Sequence, residues 1–149
     1  MKKIFSMLPE WAPQQAVMFA WPHESTDWQP WLAAISRDYV ELAVAIAMEA
    51  MPLILCQDEA HQTQIIEQLG GRCKYAPRFV IAPYNDTWCR DYGPVTLAAD
   101  GDLQLLDFQF NGWGDKYDAA LDNNINQYLS TQWEAPLLAI NYELEGGSI

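Results

Sequence analysis

Apolar residues gather along this chain in short runs separated by polar turns. "AVMFAWP" (Ala16 to Pro22), "PLILC" (Pro52 to Cys56) and "RFVIAPY" (Arg78 to Tyr84) are brief and nearly free of charge, a pattern that predicts buried strands. Between the first two, Leu32, Ile35, Tyr39, Leu42, Ala43 and Ile46 recur at helical spacing, and Pro30 sits where a first helical turn tolerates proline. They predict a helix over 31–51. Asp58 opens a second helix through "EAHQTQIIEQL", which Gly70-Gly71 stops.

Downstream the order changes. "PVTLAAD" and "LQLLDFQF" flank Asp100-Gly101, a strong hairpin signal. A glycine-punctuated loop, "NGWGDKYDAALD", precedes a helix in "AALDNNINQYLS" and a strand in "APLLAINYEL". Helix runs into strand three times, at 31–51 into 52–56, 58–69 into 78–84 and 120–130 into 136–142. The expectation is an α/β chain built on a repeated unit of roughly 40 to 50 residues, with one antiparallel hairpin inserted.

Composition narrows the function classes. The 149 residues are 50% hydrophobic with seven tryptophans, enough to fill the core of one domain over 1–149. The opening "MKKIFSMLPEW" breaks its apolar run at Leu8-Pro9, which is not the pattern of a secretory leader. No run of about 18 apolar residues occurs, so no membrane span is expected. A net charge of -12 argues against nucleic acid and anionic membranes, both of which select clustered Lys and Arg. It suits a cationic small molecule, although an acidic solvated surface is the plainer reading.

Cys56, Cys73 and Cys89 show neither zinc-ligand spacing nor a disulfide framework, so no metal is expected, and a reducing cytoplasm is the simplest setting. His61 falls in a polar helix and reads as a solvated residue. His23, in "WPHEST", reads as structural, since no catalytic partner is visible beside it.

Candidate chemistry concentrates in "NDTWCRDYGP" (Asn85 to Pro94), which holds Asp86, Trp88, Arg90 and Asp91 in one short loop. A carboxylate recognises a guanidinium through paired N–H···O bonds in one plane, and an indole face attracts a cation. The bland alternative is that Arg90 pairs internally with Asp86 or Asp91 and that Trp88 is core. In "FNGWGDKYD", Gly112 and Gly114 bracket Trp113, which could wall a pocket or plug a core. Glu145 precedes Gly146-Gly147, a pair that permits close approach of another group. Neither a phosphate-binding glycine loop nor a nucleophile elbow is present.

The order of "LPEWAPQQAVMFAWPH", "NDTWCRDYGP", "FNGWG" with its following "KY", and "LEGGSI" resembles the agmatine deiminase family and the related bacterial peptidyl-arginine deiminases. The four motifs span nearly the whole chain. The resemblance implies a pentein-type propeller of five αβ modules, of which this chain supplies about the first two to three. It implies hydrolysis of agmatine to N-carbamoylputrescine and ammonia, a step of putrescine and polyamine biosynthesis that uses no cofactor. A cysteine thiolate attacks the guanidinium carbon, ammonia leaves, and a histidine-activated water hydrolyses the amidino-cysteine. Asp91 and Glu145 are thereby assigned to hold the guanidinium, with Trp88 and Trp113 lining the substrate pocket. A small cationic guanidine is the expected partner, without nucleic acid or membrane, and a homodimer is compatible with such an enzyme.

The family's His-x-Asp motif and its nucleophilic cysteine both follow "EGG" in the family order and are absent from these residues. Cys89 carries no catalytic role by that order, and Cys56 and Cys73 read as ordinary buried or surface thiols. The chain therefore reads as an amino-terminal piece of something longer, inactive by itself. Two alternatives stand beside agmatine: peptidyl or free arginine as substrate, and a non-catalytic module that binds guanidines or polyamines. A folded remnant of purely structural meaning is the third.

Overall fold

The computed structural model describes residues 3–133 and 135–149; the first two residues of the amino-terminal segment tested for a leader, and Glu134, lie outside the described residues. The chain divides into two compact units. One is Gln14–Cys89; the other joins Arg90–Ile149 to the segment ending at Pro13.

The first unit is a βαβαβ arrangement. Strand β2 (Ala16–Ala20), helix α1 (Leu32–Ile46), strand β3 (Met51–Cys56), helix α2 (Glu59–Leu69) and strand β4 (Arg78–Ile81) follow one another, with β1 reserved for the short Ser6–Met7 strand of the other unit. The three strands are parallel in the order β2-β3-β4, with Phe19 opposite Ile54 and Ile54 opposite Phe79. A central parallel strand loses solvent on both faces and so reads as continuous apolar sequence. Ile54, Leu55 and Cys56 are accordingly fully buried.

Helix α1 is shorter than its periodicity predicts. The carbonyls of Ala47 and Met48 are taken by the Tyr75 N–H at 3.0 Å and by the Lys74 ammonium at 3.1 Å, so the chain turns away. Pro52 then holds Met51 extended, and the strand starts there. The buried positions of α1 are Val40 and Ala43, continued by Ala47 just past its end, whereas Leu42 is exposed. Helix α2 follows its sequence signals closely. The Asp58 carboxylate accepts from the His61 N–H at 2.7 Å, and Gly70 ends the helix in the left-handed conformation at φ 57°.

The second unit carries a mixed sheet in the order β1-β5-β6-β7. Strands β5 (Val95–Ala99) and β6 (Asp102–Gln109) form the predicted hairpin. Both Asp100 (φ 48°) and Gly101 (φ 86°) take positive φ, as a tight two-residue hairpin turn requires. Strand β7 (Leu137–Glu143) adds parallel to β6. Two four-residue helical turns lie in this region, α3 (Cys89–Tyr92) and α4 (Gly112–Asp115), before helix α5 (Ile125–Trp133) leads into β7. The expected passage from helix to strand is thus present three times, at α1 to β3, α2 to β4 and α5 to β7. No helix among the described residues is long and apolar enough to cross a membrane.

Candidate functional site

The opening half of "NDTWCRDYGP" closes the Gln14–Cys89 unit. There Asp86 folds its carboxylate back onto the Thr87 N–H, and the Thr87 hydroxyl accepts from the Trp28 indole at 2.9 Å. These bonds fix the turn ahead of Trp88, which stands 58% exposed rather than in the core. Cys89 is half-buried, and its thiol donates to the Met18 carbonyl at 3.5 Å. Its use here is structural. Burial and the neighbouring Asp58 push Cys56 up to about 12, and burial raises Cys73 as well. Both thiols are thereby disfavoured as nucleophiles at neutral pH.

The other half belongs to the Arg90–Ile149 unit, where α3 aims Asp91 at a set of donors. One carboxylate oxygen accepts the Trp113 indole N–H at 3.2 Å; the other accepts the Gly147 backbone N–H at 3.0 Å. Arg90 does not neutralise it. Its guanidinium donates to the Ile149 carbonyl at 2.9 Å, so the internal Arg90–Asp91 pair left open by the sequence is not formed. Each Asp91 oxygen has two acceptor lone pairs. One donor apiece among the described residues fixes the plane of the carboxylate and leaves acceptor capacity on both oxygens.

Gly146 and Gly147 make this approach sterically feasible. A Cβ on Gly146 would lie 2.3 Å from the Arg90 carbonyl oxygen, and one on Gly147 would lie 2.3 Å from the Asp91 carboxylate. Any side chain at either position would push the segment off α3. Glu145 stands two residues before the bonded N–H, at the start of the Gly146–Ser148 turn. Its side chain makes no cap hydrogen bond; its carbonyl, by contrast, takes both donors of Ser148. The Glu145 carboxylate is thus delivered by a turn that is itself bonded to Asp91.

Trp113 reaches Asp91 from an unusual backbone. Gly112, Trp113, Gly114 and Asp115 all have positive φ, at 63°, 58°, 77° and 59°. A left-handed turn disfavours each non-glycine residue by roughly 1–2 kcal/mol, so its neighbours must impose it. Asn111 does so by accepting the Gly114 N–H on its side chain at 2.8 Å and the Asp115 N–H on its carbonyl at 2.7 Å. Phe110 and Tyr117 then pack edge-on against the indole, with centroids at 4.9 and 5.7 Å. Trp113 is half-buried, part wall and part support.

Three amides in this unit were not singled out from sequence: Asn111, Asn123 and Asn126. Asn123 accepts the Phe110 N–H at 2.8 Å and donates back to the Phe110 carbonyl, holding the ring on which Trp113 leans. Asn126 is 1% exposed and reaches the Tyr92 carbonyl at 3.0 Å. The available signal was the "DNNIN" run at the mouth of a helix, where asparagine is ordinarily read as capping. Asn123 and Asn126 are three apart and so share one helical face.

The histidines lie in the Gln14–Cys89 unit. His23 is 4% exposed, accepts the Ser25 N–H on Nδ1 at 3.1 Å and packs edge-on against Tyr84 at 4.7 Å. Burial, then the adjacent His61, lowers its pKa to about 4. His61 is half-buried against His23 rather than solvated, and its pKa is lowered by burial. A groove of about 1100 Å³ between the 22–25 turn, α1 and α2 includes both rings. No group of three or more His, Cys, Asp or Glu suited to a metal occurs among the described residues.

Residues 6–149 match the family model for Porphyromonas-type peptidyl-arginine deiminase. A curated relative from Shewanella baltica (strain OS185), named "Putative agmatine deiminase", is 31% identical over 156 residues, covering 97% of this chain and 40% of the relative. Among solved structures, a cysteine-to-serine variant of C. jejuni agmatine deiminase with substrate bound matches with a TM-score of 0.87 at 32% identity, covering 99% of this chain and 43% of that one. A second C. jejuni agmatine deiminase structure matches at 0.82 and 30% identity with the same coverage. The chain therefore spans about two fifths of the length of these relatives, and its α/β fold is one found in agmatine deiminases.

Proposed function

The chain belongs to the Porphyromonas-type peptidyl-arginine deiminase family, and we propose on that premise that it carries the guanidinium-holding part of an agmatine deiminase. The activity so assigned is hydrolysis of agmatine to N-carbamoylputrescine and ammonia, in the service of cytoplasmic putrescine and polyamine synthesis. The recurring helix-then-strand passages are taken as modules of a pentein propeller within one deiminase domain. The observation that carries the reading is the Asp91 carboxylate, fixed by Trp113 and Gly147 while its oxygens keep acceptor capacity. Two N–H groups of one guanidinium face can meet such a carboxylate together.

In this reading Asp91 and Glu145 bind the cation from two segments and set the plane of its carbon for attack. Trp113 bounds the site with aromatic surface, and the pocket-lining role of Trp88 is what the family resemblance implies. Bond breaking is assigned to the thiolate and histidine that the family order places after "EGG". Within the 149 residues the task is binding. The thiols support that division: Cys56 and Cys73 are held protonated and Cys89 is bonded to a carbonyl.

The test is ammonia release from agmatine by a protein that continues this chain to the family's full length. Asp91→Ala and Glu145→Ala are each expected to lower kcat/KM by about 10²-fold or more, since each leaves a bound cation short of a desolvated partner. Normal turnover in either variant would defeat the assignment. Faster turnover of a peptidyl or free arginine would transfer it to that substrate. The second reading, a guanidine-binding module, is favoured by the inert thiols of this chain. Tight calorimetric binding of agmatine by the 149 residues alone would establish it.

A further inference from the structure

We propose that Asn126 is a positioning residue, which sets the aim of Asp91 through the backbone of the turn that carries it. The inference takes Asp91 as the guanidinium carboxylate from the function proposed above. Helical turn α3 has only four residues, too few to hold its own carbonyls by helical bonds. Its last residue, Tyr92, is buried, and its carbonyl is taken by the Asn126 side chain at 3.0 Å. The same amide nitrogen donates to the Asp107 carboxylate on β6 at 2.7 Å. One side chain thus ties the turn behind Asp91 to a sheet strand.

The chemistry requires an amide. A primary amide nitrogen has two donors, and here each has an acceptor. Serine has one donor; aspartate and leucine have none. The amide oxygen is buried without a hydrogen-bond partner among the described residues. A buried polar atom left unsatisfied is unfavourable, so packing alone does not explain asparagine at this position. The two donors do. Loss of both would remove the tie between the Tyr92 carbonyl and β6, loosen α3, and move Asp91 relative to the Trp113 indole and the Gly147 N–H.

The reporter is the Trp113 indole N–H, bonded directly to Asp91. Its hydrogen exchange is read by NMR on this chain with ¹⁵N-labelled tryptophan, alongside the backbone N–H of Leu105, which pairs with the Pro136 carbonyl in the same unit. Asn126→Leu is expected to speed indole exchange roughly 10-fold or more, toward the rate in Asp91→Ala, while Leu105 keeps its protection. Asn126→Gln, which retains both donors, should recover part of the indole protection. Unchanged indole exchange in a folded leucine variant, or equal acceleration at Leu105, reduces Asn126 to a core residue and overturns the proposal.

If the leucine chain does not fold, Asp107→Asn decides. It keeps the shape of the anchor while weakening its charge-assisted bond. Several-fold faster indole exchange supports the proposal and none refutes it. The readout needs no turnover. A Trp113 signal that follows Asn126 in a protein that never accepts agmatine would refute the proposed function and leave this inference standing.

Discussion

In the Gln14–Cys89 unit, five of the six β3 residues are buried; in the Arg90–Ile149 unit, five of the seven β7 residues are exposed. The first unit is held by apolar volume. Trp21, Ile54 and Ile65 lose all or nearly all solvent contact, and Val40 and Ala43 of α1 and Ile65 and Leu69 of α2 join Phe19 and Ile54 in one apolar cluster. The second is held around its candidate site by named polar bonds: Asn111 on the left-handed turn, Asn123 on Phe110, Asn126 on Tyr92, and Gly147 on Asp91. Dispersion and burial tolerate exchange among side chains of similar volume. Directional bonds between specific atoms do not, and that is where this chain keeps its candidate chemistry.

The comparison breaks most directly at Ile54, fully buried on the central strand between Phe19 and Phe79. Ile54→Ala removes branched volume that the surrounding sheet and helices cannot fully refill. Stability should fall by about 4 kcal/mol, read from the urea midpoint at constant slope, whereas Ile54→Val should lose about 1 kcal/mol. Equal losses from the two variants would mean that volume does not govern this unit.

These differences also explain what the sequence made legible. Strands β2 and β3, helix α2 and the Asp100-Gly101 turn rest on local signals: apolar runs, an aspartate cap, glycines at positive φ. Their boundaries were readable because the causes lie within a few residues. Helix α1 ends early for a distant reason, the capture of the Ala47 and Met48 carbonyls just past it by Tyr75 and Lys74, which no periodicity encodes. The contact between Asp91 and Trp113 is likewise non-local. Motif order suggested that both serve one site, but not that the indole donates to the carboxylate, nor that Gly147 does. Asn126 was hidden more deeply, because a cap and a buried tether have the same composition.

A smaller effect separates the units by pH. His23 and His61 sit in the apolar unit, and burial holds both pKa values down, that of His23 to about 4 against an ordinary 6.5. Unfolded histidine takes up its proton as pH falls through 6.5, whereas folded His23 waits until about 4. In that window the unfolded chain binds more protons, so stability falls as pH falls. It is full above 6.5 and its loss is complete below 4. On the order of 2 kcal/mol should disappear between pH 7.5 and 4.5, and His23→Gln should flatten that part of the profile. Parallel profiles for the two chains would remove His23 as the cause.

The smallest effect tests whether the second unit depends on a bond or on a ring. Trp113→Phe keeps an aromatic ring for Phe110 and Tyr117 to pack against but deletes the N–H that reaches Asp91. Because the site is half-open, the lost bond should lower stability by only about 1 kcal/mol. Its local effect should be larger than its global one. With one donor gone, Asp91 keeps, among the described residues, only the Gly147 N–H and can rotate about that contact, so the Gly147 amide resonance should shift and exchange faster. Trp113→Ala removes the ring as well and should add a further loss of about 2 kcal/mol from buried aromatic surface. If phenylalanine and alanine perturb the Gly147 amide equally while differing in stability, the indole N–H orients Asp91 and the ring only supports it. If phenylalanine leaves that amide untouched, the aromatic packing alone sets the carboxylate, and the contrast between a unit held by volume and a unit held by bonds fails at its centre.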